Sequence, residues 1–415
     1  MKKTQNKHKI KVVLALTASI LAAGAAQAYE VPLTWIGTNM PPIDFHGFIS
    51  QGFLDSSKYN YLGDTTRGSF LFSEMGINAS MNPFPRTRIA IQGFDFTTGN
   101  VGQYDPILDY ALVEYTFNDE VGVRAGRIRR PSGIYNAIQD IDLARTYVLL
   151  PQGMYDSRWR DWSASLDGGE IFGAFSLGKA AKAGSLSYEA YAGVVNMADN
   201  GGPARYIENG LPPAPYGQFN GIDSTPIFGG QLWYNTPIDG LRFGASLAYM
   251  QNWGYSVSVP VPGLGITDLH GVGNIVLQQY SAEYLWKQWT FQAEYYTYDL
   301  TGHQYLSAYN NAVAGVADDN PQTWYVAASR RLNKYFELGT YYTEYRDFST
   351  SSNNSDGHQN DVALTLRVDP FSWWTFKVEV HHLDGTALLR EDSNNPQPHN
   401  GDGWFMVAVK TTFSF

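Results

Sequence analysis

The stretch that decides the reading is Gly403–Phe415, "GWFMVAVKTTFSF". Phe405, Val407, Val409, Thr411, Phe413 and Phe415 form one series, and Met406, Ala408, Lys410, Thr412 and Ser414 the other. Period two is the spacing of a strand with two unlike faces. The first face suits an apolar solvent, while Lys410 marks the second as wet. A greasy strand left at an edge in water invites aggregation. Something other than water must cover this one.

The opposite end narrows what that is. Residues 1–28, "MKKTQNKHKIKVVLALTASILAAGAAQA", have a basic start, a short apolar core and an A-x-A site at Ala26–Ala28. This pattern predicts a cleaved secretory signal peptide, export through the general secretory pathway, and one domain over 29–415. The five lysines of that segment leave with it, so the exported chain is more acidic than the whole, whose formal net charge is −10. An acidic balance argues against nucleic acid as a partner. With no cysteine there is no disulfide framework and no thiolate metal site. Past residue 28 no run of eighteen apolar residues occurs, so the sequence predicts no membrane-crossing helix.

Aromatic residues make up 15% of the chain and charged residues only 16%, against a usual charged share of about 25%. An exported, tyrosine- and glycine-rich chain of this kind fits a transmembrane antiparallel β-barrel. About sixteen alternating segments can be read, near 44–54, 69–81, 86–96, 107–117, 121–130, 161–177, 185–196 and 226–236, then 240–252, 275–286, 288–299, 321–332, 334–347, 358–368, 371–384 and 403–415. Tight connections such as "NPFPRT", "NDE", "KQ" and "DPFS" alternate with long polar ones, including 131–160, 253–274 and 300–320. Short periplasmic turns and long extracellular loops would be sorted in this way. Trp286, Trp289, Tyr335, Phe336, Trp373 and Trp374 sit beside the short turns, where an aromatic girdle belongs. The apolar face of the last strand is then covered by outer-membrane lipid, and its pairing with the first strand removes the edge.

A barrel of about sixteen strands is too wide for side chains to fill and holds an aqueous channel. Alternation turns Glu74, Arg88, Glu114, Arg242, Glu294, Arg367, Lys377 and Glu379 toward the lumen. Both signs are present, which predicts weak ion selectivity. The outer loops are acidic, with Asp64, Asp105, Asp199 and Asp268 among them. Segment 131–160 differs from the other loops in its apolar content: Ile134, Ile138, Ile141, Leu143, Val148, Leu149 and Leu150 need a surface to pack on. Folded into the barrel, it would project Asp140, Asp142, Arg145, Asp156, Arg158 and Arg160 into the channel as a constriction. Arg124, Arg127, Arg129 and Arg130 lead into it. The alternative is an extracellular lid packed on neighbouring loops.

"FHGFISQGF" (45–53), "VGVRAGRIRRPSGIY" (121–135), "DLARTYVLLPQ" (142–152) and the terminal phenylalanine resemble outer-membrane porins. The resemblance is nearest to the phosphate-selective porin family and its uncharacterised proteobacterial relatives. It implies a homotrimer of sixteen-stranded barrels with inward-folded loops, passing small hydrophilic solutes. Phe415, with Phe413, looks like the C-terminal signal read by the barrel-assembly machinery. The unopposed ladder of arginines and lysines that anion selectivity needs is not what this chain carries, because each candidate base has acids nearby.

Two other classes fit these residues less well. An enzyme on a barrel would need a nucleophile aligned with a base, and no G-x-S-x-G, H-E-x-x-H or P-loop occurs. His381 and His382 point to opposite faces and cannot share a metal. The acids of "ADDNPQ" (317–322) and "NSDGHQND" (354–361) read as solvated loop rather than a Ca²⁺ site. No metal or other cofactor is expected. An adhesin or loop-mediated receptor without transport is the remaining alternative, and conductance in a bilayer discriminates it.

Overall fold

The computed structural model describes residues 29–31 (backbone only), 41–178, 182–307, 312–316, 318–348, 355–389, 395 and 403–415. The expected leader, 1–28, lies outside the described residues. Sixteen long strands form the barrel wall. In chain order they are β1 Ile43–Ser56, β2 Phe72–Phe84, β3 Thr87–Thr98, β4 Ile107–Asn118, β5 Val121–Arg129, β6 Ser165–Ser176, β7 Ser185–Val195 and β8 Thr225–Asn235. They continue as β9 Leu241–Val261, β10 Gly265–Trp286, β11 Trp289–Leu306, β12 Pro321–Arg331, β13 Phe336–Asp347, β14 His358–Phe371, β15 Trp374–Gly385 and β16 Trp404–Ser414.

Every neighbouring pair is antiparallel, and β16 pairs with β1 from Met406↔Ser56 to Ser414↔Phe48. The sheet is closed. Three short strands, Tyr29–Val31, Gln218–Ile222 and Ala312–Val316, pair on β1, β9 and β11 without entering the ring.

The faces are sorted as a lipid solvent requires. Ile49, Ile77, Ile91, Val113, Leu247, Leu364 and Phe413 are exposed on the outer face, while Glu74, Gln92, Gln231, Glu294, Lys377 and Lys410 are buried on the inner one. At the short-turn end, Trp373 and Trp374 stack on Phe413 with ring centroids 6.0 and 5.7 Å apart. Trp286 and Trp289 face each other across the turn at Lys287.

The expected loop 253–274 is instead strand. β9 and β10 continue as a hairpin that closes only at Val261↔Gly265. Pro260 and the glycines at 263 and 265 make this segment read as loop. Pro260 lies beside the hairpin tip, where a missing N–H costs little, and both glycines adopt positive φ in the turn. The expected loop 300–320 likewise begins later, because β11 runs to Leu306.

Candidate functional site: a loop inside the barrel

The connection between β5 and β6 does not stand above the barrel. It crosses the lumen and bonds to inner-face residues of strands on the far side. The crossing starts at "PSGIY". Gly133 has φ +58°, and a Cβ there would collide with Gln279 and the Tyr155 hydroxyl. Only a residue without one can turn this close to the wall. Ser132 donates to Gln279 Oε1 at 2.6 Å, Gln231 Nε2 donates to the Gly133 carbonyl at 2.8 Å, and Tyr135 donates to Gln292 Oε1 at 2.6 Å.

Glu294 is a hub of this contact. Its Oε1 accepts from the Ile134 amide at 2.9 Å, and its Oε2 accepts from Tyr155 at 2.5 Å and Tyr325 at 2.8 Å. A buried carboxylate given this many donors has its lone pairs satisfied. Burial and the neighbouring Glu294 push the Tyr155 hydroxyl well above its ordinary pKa. It therefore stays a donor.

Further along, the wall grips the loop through β13 to β16. Lys377 Nζ donates to Asp142 Oδ1 at 3.0 Å and to the carbonyls of Asp142 and Arg145 at 2.7 and 2.8 Å. Lys410 Nζ lies 3.5 Å from the same Asp142 oxygen and 2.6 Å from Glu74. Thr412 donates to Asp142 Oδ2 at 2.8 Å. Arg367 donates to the carbonyls of Leu143 and Arg145 at 2.9 and 3.1 Å. Glu379 accepts from the amides of Val148 and Leu149 at 3.0 and 2.8 Å, and is backed by His381 at 3.0 Å.

Apolar packing completes the attachment. Val148 and Leu149 sit with Leu54, Phe72, Leu383 and Trp404, and Tyr135, Tyr147, Leu150 and Tyr155 sit with Tyr325 and Tyr341. Full burial of each aliphatic side chain contributes roughly 1.5–3 kcal/mol. Ile141 is the exception among the apolar residues expected to pack: it is 46% exposed.

This geometry corrects the expectation that the charged residues of 131–160 project into open channel. Asp140, Asp142, Arg145, Asp156, Arg158 and Arg160 are all buried. Arg158 pairs with Asp156 at 2.6 Å. Arg160 and Arg129 both pair with Asp109 at 2.7 Å and with Asp140, and Arg160 lies 4.1 Å over the Phe94 ring. Arg145 is 3.4 Å from Asp142 and 3.8 Å from Glu74. Arg130 Nε donates to the Ser163 carbonyl at 2.9 Å. Arg127 stands apart from this network, pairing with the half-exposed Asp167 at 3.2 Å. The physical reason is desolvation: a charge carried into a packed lumen must be paired.

Nearer the short-turn end the wall is more open. Arg124 is held by Glu114 at 2.6 Å, Glu170 at 2.7 Å and Glu189 at 3.4 Å, three carboxylates around one guanidinium. Arg88 lies across the ladder from Glu114 and is exposed. Arg242 pairs with Glu283 at 2.6 Å. His381 is buried and His382 is exposed, on opposite faces as alternation requires.

Two sets of residues were not singled out from sequence. Asp109 and Glu170 complete ion pairs, and only the strand register could reveal them. An aromatic cavity of about 300 Å³ lies between the loop and β9, β10 and β11 at the long-loop end, lined by Trp159, Trp162, Trp253 and Tyr298 among others.

No family model matches the chain, and no curated protein matches it. Solved structures do. A loop-deletion form of OmpT, an outer membrane protein of Vibrio cholerae, is 12% identical with a TM-score of 0.54, covering 90% of this chain and 99% of that one. Salmonella typhi OmpF, in complex with daunomycin, is 11% identical with a TM-score of 0.54, covering 93% and 100%. The anion-selective porin from Comamonas acidovorans is 11% identical with a TM-score of 0.52, covering 90% and 99%. These likenesses are of fold, and the fold is the closed sixteen-strand antiparallel barrel of outer-membrane porins.

Proposed function

We propose that this protein is an outer-membrane porin, a passive, water-filled diffusion channel for small hydrophilic solutes or ions. The observation that carries the reading is the closed barrel with an apolar outer face and a loop bonded to its polar inner wall. The short turns face the periplasm and the long loops the exterior, and the exported chain begins after residue 28.

Selectivity is weak. The charged groups of the lumen are largely consumed in pairs, such as Lys410 with Glu74 and Arg242 with Glu283. Among porins we place the chain nearest the phosphate-selective family by its scaffold motifs, without that family's anion preference. The protein assembles as a homotrimer, a proposal supported by the likeness to a trimer form of Vibrio cholerae OmpT, and the barrel-assembly machinery inserts it. The loop at 130–164 narrows the lumen.

Purified protein in planar lipid bilayers tests this reading. Stepwise insertion of ohmic channels in KCl is expected. A folded, heat-modifiable barrel that inserts without conductance would leave the receptor or adhesin reading in its place.

A further inference from the structure

The aromatic cavity at the long-loop end is a built pocket, not incidental space. Its rings form a continuous run drawn from separate elements. The Tyr206 ring lies 5.3 Å from Trp159, Trp159 lies 6.2 Å from Trp162, and Trp162 lies 6.5 Å from Trp253 and 5.8 Å from Tyr298. Tyr206 comes from the helix Gly202–Asn209 of the 196–224 loop. Trp159 and Trp162 come from the inward loop, Trp253 from β9 and Tyr298 from β11. A break in the β9 register between Met250 and Trp253 shifts the alternation by one residue. Trp253 thereby takes the inner face that Arg242 and Ser246 hold earlier in the strand.

The polar groups in this wall are mostly neutral amides and hydroxyls, and its three charged side chains, Arg130, Asp156 and Asp319, each have a partner, Asp319 accepting from Tyr298 at 2.9 Å. Asp156 is held by Arg158, and Arg130 is bonded to a loop carbonyl. Gln152 is buried, and its Oε1 has no partner among the described residues; the same holds for Trp253 Nε1. One is an acceptor and the other a donor, and both line the cavity. Buried polar atoms are normally satisfied, so this pair is set for a ligand that can donate and accept. A hydroxyl does both.

From these observations we propose that the cavity binds a small, uncharged, hydroxylated ring, with the chemistry of a mono- or disaccharide. The apolar faces of the ring stack on Trp159 and Trp162, and its edge hydroxyls reach Gln152 and Trp253. The cavity of about 300 Å³ falls at the small end of ligand pockets, roughly 300–1,000 Å³, which suits one or two sugar rings. The proposal deepens the channel reading and rests on it for its physiological meaning. It names the solute that pauses on the way through.

The test titrates detergent-purified protein with methyl glucoside, with maltose and with the open-chain polyol sorbitol, reading intrinsic tryptophan fluorescence. Saturable change with a cyclic sugar and none with sorbitol at equal concentration is the expected result. Gln152→Ala and Trp159→Ala should each raise the half-saturation concentration about tenfold, close to 1.4 kcal/mol. Heat-modifiable mobility verifies that each variant barrel is folded. Equal responses to sorbitol and sugar, no response to either, or variants that titrate like the parent would overturn the proposal. KCl conductance is measured on the same preparation. Conductance without sugar binding sinks this inference alone, whereas sugar binding without conductance sinks the channel reading and leaves the site standing.

Discussion

Lys377 Nζ lies 3.0 Å from Asp142 Oδ1, and both residues are buried, the lysine completely. One belongs to a wall strand, the other to the loop that crosses the lumen, 235 residues apart in sequence. Lys410 and Arg145 share the same carboxylate. Glu74 also pairs with Lys410 and lies near Arg145, so Lys377 is the wall cation that depends on the loop aspartate for its carboxylate partner.

Changing Asp142 to Ala should therefore release the loop and leave the barrel standing. Removing one partner of a buried pair costs about 3–5 kcal/mol, because the remaining charges lose their compensation. Asp142→Asn should cost less, since its Oδ1 still accepts from Lys377 while its Nδ2 can donate to the Thr412 hydroxyl. The expected outcome is faster proteolytic cleavage within 136–160 of the folded barrel and a larger single-channel conductance. Parent-like protection of the loop in Asp142→Ala would show that the latch does not hold it.

The same carboxylate sets the acid tolerance of the latch. Burial alone would raise its pKa, but Lys377, Lys410 and Arg145 outweigh that and hold it well below the usual carboxylate range. A group depressed in the folded state stabilises fully above its unfolded pKa, about 3.9 for aspartate, and loses the contribution only as pH falls through the folded value. The contribution of Asp142 to loop protection, read as the difference between the parent and Asp142→Asn, should thus be flat from pH 7 down to about 4. A conductance step between pH 6 and 5 would mean that another group governs the loop.

All sixteen strands were legible because a membrane barrel writes its two solvents into every second residue. Lys410, Thr412 and Met406 face in while Phe405 and Phe413 face lipid, as the period-two series of the terminal stretch requires. The excess of apolar residues in 131–160 likewise pointed inward, since Val148 and Leu149 could not be left in water. What stayed illegible depends on pairing between distant residues. Nothing near Asp140 in sequence indicates that Arg129 and Arg160 will clasp it, and burial follows from that clasp. The aromatic cavity was hidden for a different reason. Trp253 reads as loop until the register break in β9 is known, and Trp162 and Tyr298 are ordinary aromatics until the loop brings them together.

Closure of the barrel reaches the final residue. The Phe415 amide donates to the Gly47 carbonyl at 3.0 Å, and the Gly47 amide donates to the Phe415 carbonyl at 3.1 Å. Deleting Phe415 removes both bonds, along with the residue proposed to be read during assembly. Phe415→Asp keeps the backbone pair and places a charge at the apolar end. Both variants should show outer-membrane levels reduced several-fold with periplasmic degradation products, read by immunoblot of membrane fractions. A normal level for Phe415→Asp together with a reduced level for the deletion would assign the effect to the backbone bonds and not to the aromatic side chain.

Arg124 is the residue whose removal should change ion preference most. It stands among Glu114, Glu170 and Glu189, with its side chain 26% exposed, and its guanidinium carbon lies 4.1 Å from the Phe172 ring centroid. Arg124→Ala deletes the guanidinium that these carboxylates share and leaves Glu114 and Glu189 partly exposed to the lumen, with Glu170 buried behind them, where low-dielectric walls focus their field. Reversal potentials in a KCl gradient should shift toward cations. The shift should be largest at low salt and fade near 1 M, where the Debye length falls to about 3 Å. Asp140→Asn, by contrast, acts on a carboxylate enclosed by Arg129 and Arg160, so it should weaken the loop's attachment more than it alters selectivity. Measured side by side, the two variants separate a charge that faces the permeating ion from one that only fastens the loop. If Arg124→Ala leaves the reversal potential unmoved at 0.1 M, ions do not pass this cluster, and the narrow part of the pore lies elsewhere along the wall.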